Sequence, residues 1–303
     1  MRKIMLLALA GMALASCTQN YDGLDELGVN NNPSEIKLYG GVQVYSSVKS
    51  MFNPGDQVSD IQFIKLDGET PSWEGINAAT TTGELGTGGA ITFTSPMYYP
   101  NNETTATQIT AFYPAAKSIA KNIASMEITG DEDVLYAGSV SGTKKTPISS
   151  PLTFNHLLTQ FKFVIQREAA STGGEDAAND INGVKIAVKG AHTSFTLDLT
   201  NGNLSALNDD TGKDIDALTN GTAATTASAP STPLLLEPGL GSITLIIEAN
   251  GYTSQTITIE GTTENTFKAG HAYTITLTFK GKEIASNGSI SEWTPGTATG
   301  DVK

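Results

Sequence analysis

The chain's three histidines, His156, His192 and His271, are the residues best suited to bind a metal or move a proton near neutral pH. None has a second His or a Cys at the spacing of a zinc site, so no metal is predicted. His156 lies among Leu152, Phe154 and Leu158, the setting of a hydrogen-bonded strand residue. Asp180-Ile181-Asn182-Gly183 has the composition of part of a calcium loop. Setting Gly183 at the sixth loop position, however, puts Ala178 first and Lys189 twelfth, where an EF-hand needs carboxylates, and a turn is the better reading. Asp131-Glu132-Asp133 reads as a solvated acidic loop before it reads as a weak cation site. Gly138-Ser139-Val140-Ser141-Gly142 has the glycines of a nucleophile elbow but carries Val140 where the nucleophile belongs. A hydrolase would need paired carboxylates or a Ser-His-Asp set converging in a pocket. With no phosphate loop and no dinucleotide fingerprint either, the chain is read as not an enzyme, with no catalytic residue and no cofactor. Of the two tryptophans, Trp293 follows an alternating strand and is expected to pack, whereas Trp73 sits in a polar loop after Pro71 and is the candidate ligand-binding residue.

The most specific local chemistry belongs to Cys17, the only cysteine. Arg2 and Lys3 form a basic start, Ile4 to Ala13 an apolar run too short to span a bilayer, and small residues follow, which is the pattern of an export signal over residues 1–17. Leu14-Ala15-Ser16-Cys17 resembles a bacterial lipobox, in which a diacylglycerol is attached to the cysteine sulfur before cleavage in front of it. A single thiol can make no internal disulfide, so the fold must rest on its cores. No later apolar run approaches the ~20 residues of a membrane helix, which leaves acyl chains as the expected attachment to the membrane.

The elements around these residues read as strands. Hydrophobic content is 39% and charged content 16%, a mixture poor in surface helix formers. A length of 303 residues fits about two ordinary domains. The net charge is −13, more negative still without Arg2 and Lys3, so the surface repels phosphate backbones and no nucleic acid partner is expected. Residues 18–35, with Asn30-Asn31-Asn32-Pro33, read as a flexible tether. Ile36, Leu38, Val42 and Val44 then alternate, with Gly40-Gly41 interrupting the apolar series, which predicts a bent first strand. Further strands are predicted at residues 61–66, 91–94, 108–113, 152–166, 184–188, 195–199, 243–248, 256–259, 273–279 and 283–290, short and turn-bounded as in sandwiches and barrels. Only Ala115 to Met126 has helical spacing, through Ile119, Ile123 and Met126. Trp73 to Gly89 and Asp209 to Pro233 read as long loops. A boundary near Pro147 to Pro151 divides the chain into residues 36–150 and 151–303.

In order and spacing, several motifs resemble the fimbrillin-like family of exported lipoproteins, over most of the chain after about Phe93. They are Tyr98-Tyr99-Pro100, Ile109-Thr110-Ala111-Phe112-Tyr113-Pro114, Asp133-Val134-Leu135-Tyr136-Ala137, and the run from Leu152 to Phe163. Gly183-Val184-Lys185-Ile186, Leu197 to Gly202, Gly270-His271-Ala272-Tyr273 and Ile290 to Gly296 complete the series. The resemblance implies an all-β chain of two transthyretin-like β-sandwich domains in tandem. It also implies a structural or adhesive subunit of a type V pilus, carried to the outer membrane and cell surface as a lipoprotein. In that family a protease removes the first strand, and a strand from a neighbouring subunit fills the groove, which makes other pilus subunits the expected partners.

The best-studied subunits are cut after arginine, but this chain has only Arg2 and Arg167, so Lys49 and Lys37 are the candidate processing sites. Lys49 ends the alternating stretch and precedes Asn53-Pro54-Gly55-Asp56, a turn that would admit a protease. The expected donor is the region from Lys282 to Ile290. The alternative is a monomeric surface lipoprotein that binds glycan or host protein and keeps its first strand. Anchoring is directly testable: Cys17→Ala should abolish lipid labelling and move the protein from the membrane fraction to the soluble periplasm, and unchanged labelling would contradict the lipobox reading.

Overall fold

The computed structural model describes residues 33–43, 55–73, 79–169, 179–261, 266–280, 283–284 and 289–292. In chain order the described strands are β1 (Leu38–Val42), β2 (Val58–Gly68), β3 (Ala79–Leu85), β4 (Ala90–Phe93), β5 (Ala106–Tyr113), β6 (Ser118–Ala120), β7 (Ile123–Glu127), β8 (Leu135–Gly142), β9 (Leu152–His156) and β10 (Thr159–Arg167). There follow β11 (Ile181–Ala191), β12 (Ser194–Asp198), β13 (Leu204–Ala206), β14 (Lys213–Ala223), β15 (Leu234–Leu236), β16 (Ser242–Glu248), β17 (Gln255–Glu260), β18 (Ala272–Lys280), β19 (Glu283–Ile284) and β20 (Ser289–Glu292). The all-β expectation holds. Among the described residues no helix is long and apolar enough to cross a membrane.

Alternation in the sequence becomes a closed sheet in the N-terminal half. Strands β1-β4-β3-β2-β5-β8-β9 form a barrel in that order, with β9 returning to pair in parallel with β1. Closure joins the two edges of the sheet and surrounds one core, which includes Phe63, Ile109, Ala111, Leu135 and Phe154. In the C-terminal half, a sheet containing β15, β10 and β18 packs over a sheet β14-β11-β16-β17, and Phe161, Phe163, Ile186 and Leu245 share the core between them. A third sheet, β13-β12-β7-β6, lies over the outside of the barrel. Its core joins Ile64, Leu66 and Phe112 of barrel strands to Met126, Phe195 and Leu197 of the covering sheet.

The segment with helical spacing is a hairpin. Strands β6 and β7 pair through Ala120 and Ile123, and the tight turn between them sets Lys121 in the left-handed region at φ 53°. The same residues also satisfy a period of two, because Ala124, Met126 and Ile128 are buried on one face. Pairing of β7 with β12, about seventy positions later in the chain, selects that period. Both expected long loops contain strands. β3 carries Thr81, Gly83 and Leu85 inward, and Gly83 is required because a Cβ there would stand 2.5 Å from the Thr92 carbonyl oxygen. β14 pairs with β11 through several register shifts that break its alternation. The single strand expected from Leu152 to Gln166 is two: β9 belongs to the barrel and β10 to the C-terminal sandwich.

The expected boundary at Pro147 to Pro151 falls between β8 and β9, which pair with each other, and β12 crosses back to pair with β7. The described residues belong to one compact unit. A fragment from Leu152 to Lys303 would uncover Phe195 and Leu197, fully buried against barrel residues, at about 1.5–3 kcal/mol each. We expect that fragment to give a poorly dispersed amide spectrum and no cooperative melt; a sharp melt with dispersed amides would show that the C-terminal half folds alone.

Candidate functional site: the strand that closes the barrel

β1 is five residues long and holds the barrel shut on both of its edges. On one side it runs antiparallel to β4, with Leu38 opposite Ile91 and Tyr39 opposite Ala90. On the other it runs parallel to β9, with Gly40, Gly41 and Val42 opposite Leu152, Thr153 and Phe154. The Gln43 amide extends this edge by donating to the Phe154 carbonyl at 2.8 Å. Ile36, Leu38 and Val42 point into the barrel core and are buried. Burial of these three contributes about 5–9 kcal/mol at roughly 1.5–3 kcal/mol per side chain.

Two glycines set how closely the strand can approach. A Cβ on Gly40 would lie 2.6 Å from the Leu152 carbonyl oxygen, so no other residue fits between β1 and β9 without separating them. Gly89 takes φ +80° in the turn before β4 and accepts the Gly40 amide on its carbonyl at 2.9 Å. The glycine pair is visible in the sequence, but β1 runs through it without a change of phase, since Leu38 and Val42 share one buried face, and the partner that makes Gly40 necessary lies more than a hundred positions away.

Upstream of β1 the chain leaves β4. Continuing the Leu38–Ile91 pairing would set Ile36 opposite Phe93, yet the Ile36 amide donates to the Met97 carbonyl at 2.8 Å and Glu35 bridges Tyr98. The divergence opens a groove of about 260 Å³ lined by Glu35, Lys37, Tyr39, Thr92 and Phe93 among others. Tyr39 and Tyr98 are 63% and 42% exposed.

One end of the barrel carries a buried polar pair. His156, at the end of β9, meets the Asp133 carboxylate through Nδ1 at 2.5 Å, with 8% and 1% of the two side chains exposed. The other Asp133 oxygen accepts the Val134 amide at 2.8 Å. Burial, together with the nearby Glu132, Asp133 and Asp60 charges, raises the Tyr113 phenol above its ordinary range. Burial works against the Glu132 charge, but hydrogen bonds from the Thr129 hydroxyl and amide hold its carboxyl below the usual range. No hydroxyl is hydrogen-bonded to His156 among the described residues, so the pair has the form of a satisfied strand-end contact.

The remaining sequence candidates do not converge on this site. Lys37 is exposed, one position before β1. Trp73 is half-buried and packs against the core between the barrel and its covering sheet. Cys17, Lys49 and Trp293 lie outside the described residues. His192 is bonded to Glu237 at 2.7 Å beside a cavity of about 180 Å³, and His271 Nδ1 meets the Ala269 carbonyl at 2.9 Å. Asp131, Glu132 and Asp133 diverge, and among the described residues no group of three His, Cys, Asp or Glu could hold a metal.

A family model described as fimbrillin-like matches residues 46–293, beginning just after β1. No curated protein matches the chain. Among solved structures the chain is similar to a candidate cell adhesion protein of Bacteroides uniformis, with 19% identity and a TM-score of 0.60 over 86% of this chain and 99% of that one. It is similar also to a candidate cell adhesion protein of Bacteroides ovatus, with 17% identity and a TM-score of 0.53 over 88% of this chain and 99% of that one. At these identities the likeness is one of fold.

Crowding at Gly40 gives a direct test of the seam. Gly40→Ala should destabilise the protein by about 1–3 kcal/mol, the usual cost of an oversized residue in a packed site, and should speed hydrogen exchange at Gly41 and Val42. An unchanged melting temperature with unchanged exchange would mean that the β1–β9 contact is not tight.

Proposed function

This chain belongs to the fimbrillin-like family, and we propose that it is a pilus or adhesion subunit that assembles when proteolysis releases β1 and a strand of another subunit takes its place. The observation that carries this reading is the position of β1: short, close to the N-terminus, and the one strand whose removal unpairs both β4 and β9. Loss of β1 would leave two facing rows of ladder groups and an apolar slot lined by Ile91, Leu152 and Phe154. A strand with alternate apolar side chains would refill that slot, drawing affinity from main-chain hydrogen bonds and register from its side chains. At a net ~0.5–1.5 kcal/mol per bond, added to the burial of three side chains, capture would yield on the order of 10 kcal/mol.

The two candidate cuts differ in consequence. Cleavage after Lys37 leaves Leu38–Val42 joined to the body, whereas cleavage after Lys49 severs β1 from β2. Lys49 is therefore the site that fits the proposal. The donor we favour is the C-terminal strand containing Ser289–Glu292, which lies at the sheet edge beside β18 and can leave without opening a core sheet between two partners. Lipidation of Cys17 would hold the unprocessed subunit at the outer membrane, consistent with the surface location the family implies.

A second reading, a monomeric lipoprotein that binds glycan or host protein with β1 retained, draws on Tyr39 and Tyr98, exposed beside the groove at the seam. Limited trypsin digestion separates the two, with mass spectrometry for the cut and light scattering for growth. Cleavage after Lys49 should be followed by polymers, and Lys49→Ala should prevent them. A cut product that stays a stable monomer would contradict strand exchange and favour the second reading.

A further inference from the structure

The covering sheet packs on β2, β5 and β8, and none of the residues in its core lies on β1, β3 or β4. The outward side chains of those three strands form a polar line instead. Continuing the Leu38–Ile91 pairing would set Lys37 opposite Thr92, and Thr92 pairs with Glu84. The ladder from β3 to β2 shifts between Val58 and Ile61, so Ser59 and Asp60 both stand opposite Glu84. This is a bulge, with Asp60 in the left-handed region at φ 58°, and it turns an extra side chain toward the line. Lys37, Thr92, Glu84 and Asp60 thus follow one another across four strands, at the spacing of about 4.8 Å between neighbouring strands.

Two hollows lie along this line and share Thr92 and Phe93: the groove at the seam, of about 260 Å³, and a second of about 200 Å³ that reaches Glu84 and Asp60. Each alone falls short of the roughly 300 Å³ at which ordinary ligand pockets begin, and together they exceed it. Their walls are braced within the protein. Glu84 accepts a hydrogen bond from Gln57 Nε2 at 3.1 Å, and Thr82 Oγ1 lies 3.1 Å from Thr94 Oγ1. Aromatic surface is present as well: Tyr39 is 63% exposed, and Phe93 is half-buried where the chain before β1 leaves β4.

These groups select a ligand class. Hydroxyls and carboxylates at regular intervals exchange hydrogen bonds with a chain of hydroxyl groups, and an aromatic ring packs against the C–H face of a sugar. Glu35, Glu84 and Asp60 against Lys37 alone make the line negative, on a chain of net charge −13, which disfavours phosphate, sulfate and sialic acid. An added peptide strand has no ladder to join on β3, which is paired on both sides.

We propose that the line from Tyr39 to Asp60 is a binding site for a neutral saccharide, and that its occupant holds β1 in place. The proposal rests on the second reading above and gives that reading a position and a ligand class. Tyr39 and Lys37 come from the segment that would be released, Thr92 and Glu84 from the body that would remain. A saccharide spanning both loses part of its site whenever β1 leaves. By linkage, ligand at a hundred times its Kd lowers the population with β1 released about a hundredfold.

The test applies the full, uncut chain to a printed array of neutral and sialylated glycans, then titrates the strongest neutral binder by calorimetry. Tyr39→Ala and Glu84→Gln, both at the surface, should each weaken binding at least tenfold with an unchanged melting temperature. The sialylated counterpart should bind at least tenfold more weakly, by a margin that shrinks with added salt. Hydrogen exchange is then read at the Gln43 amide, which bonds to Phe154 on the β9 side of β1, away from the groove, and so reports strand release and not shielding. It should slow about a hundredfold at a hundred times the Kd. No glycan retained from the array would overturn the site and the second reading together. A glycan bound equally well by both variants would leave that reading standing and overturn the site. Preference for sialylated glycans would overturn the ligand class, and binding with unchanged exchange at Gln43 would overturn the hold on β1.

Discussion

Parallel pairing of β1 with β9 is the contact on which the rest of the N-terminal half depends. The other six barrel strands form a sheet with two edges, and one short strand satisfies both at once. The contact requires Gly40, because the Leu152 carbonyl occupies the space of a side chain. It also requires β9 to arrive from the far side of β8, so the last barrel strand meets the first only after the chain has been wound through all the others. Such pairing has high loop-closure cost, and once made it is held by apolar burial more than by its few hydrogen bonds. A strand held in this way keeps its place through apolar side chains and a close backbone approach, which are the features the proposed exchange would use.

The two halves are bound by a different device. The covering sheet takes β6 and β7 from the segment between barrel strands, and β12 and β13 from the C-terminal half. Its core therefore has walls from both, and Tyr136 of the barrel donates its hydroxyl to the Leu199 carbonyl across the same contact at 3.0 Å. Gly202 completes the fit, since a Cβ there would stand 2.5 Å from the Tyr136 ring. Opening the seam at β1 leaves this second core untouched, because none of its residues lies on β1. The seam and the covering core are thus built from separate sets of side chains, which is what the proposed exchange without unfolding would demand.

Much of this was legible where local periodicity and burial agree. The strand at residues 273–279 alternates cleanly, those at 61–66 and 108–113 are apolar on both faces because they lie between two cores, and the motif order pointed to the family that the match over residues 46–293 shows. The failures share a cause. β3 turns Thr81 and Gly83 inward because Phe63 fills the space beneath, so its face shows few apolar letters. β14 is broken by bulges, and β7 satisfies two periods at once until β12 selects one. Each depends on a partner distant in sequence, which no local window contains. The same holds for the site: the glycine pair Gly40-Gly41 was visible, but the need for Gly40 rests on Leu152. Trp73, singled out because its neighbours are polar, packs against a core built from remote strands.

The central claim is that β1 is the strand exchanged in assembly. Its most direct test is the N-terminus of the subunit as it stands in fibres taken from the native cell surface, read by mass spectrometry of the purified material. The account predicts a chain that starts after Val42 and before Val58, with β1 absent from the fibre. Fibres built from chains that begin at Cys17 and retain Leu38–Val42 would contradict it.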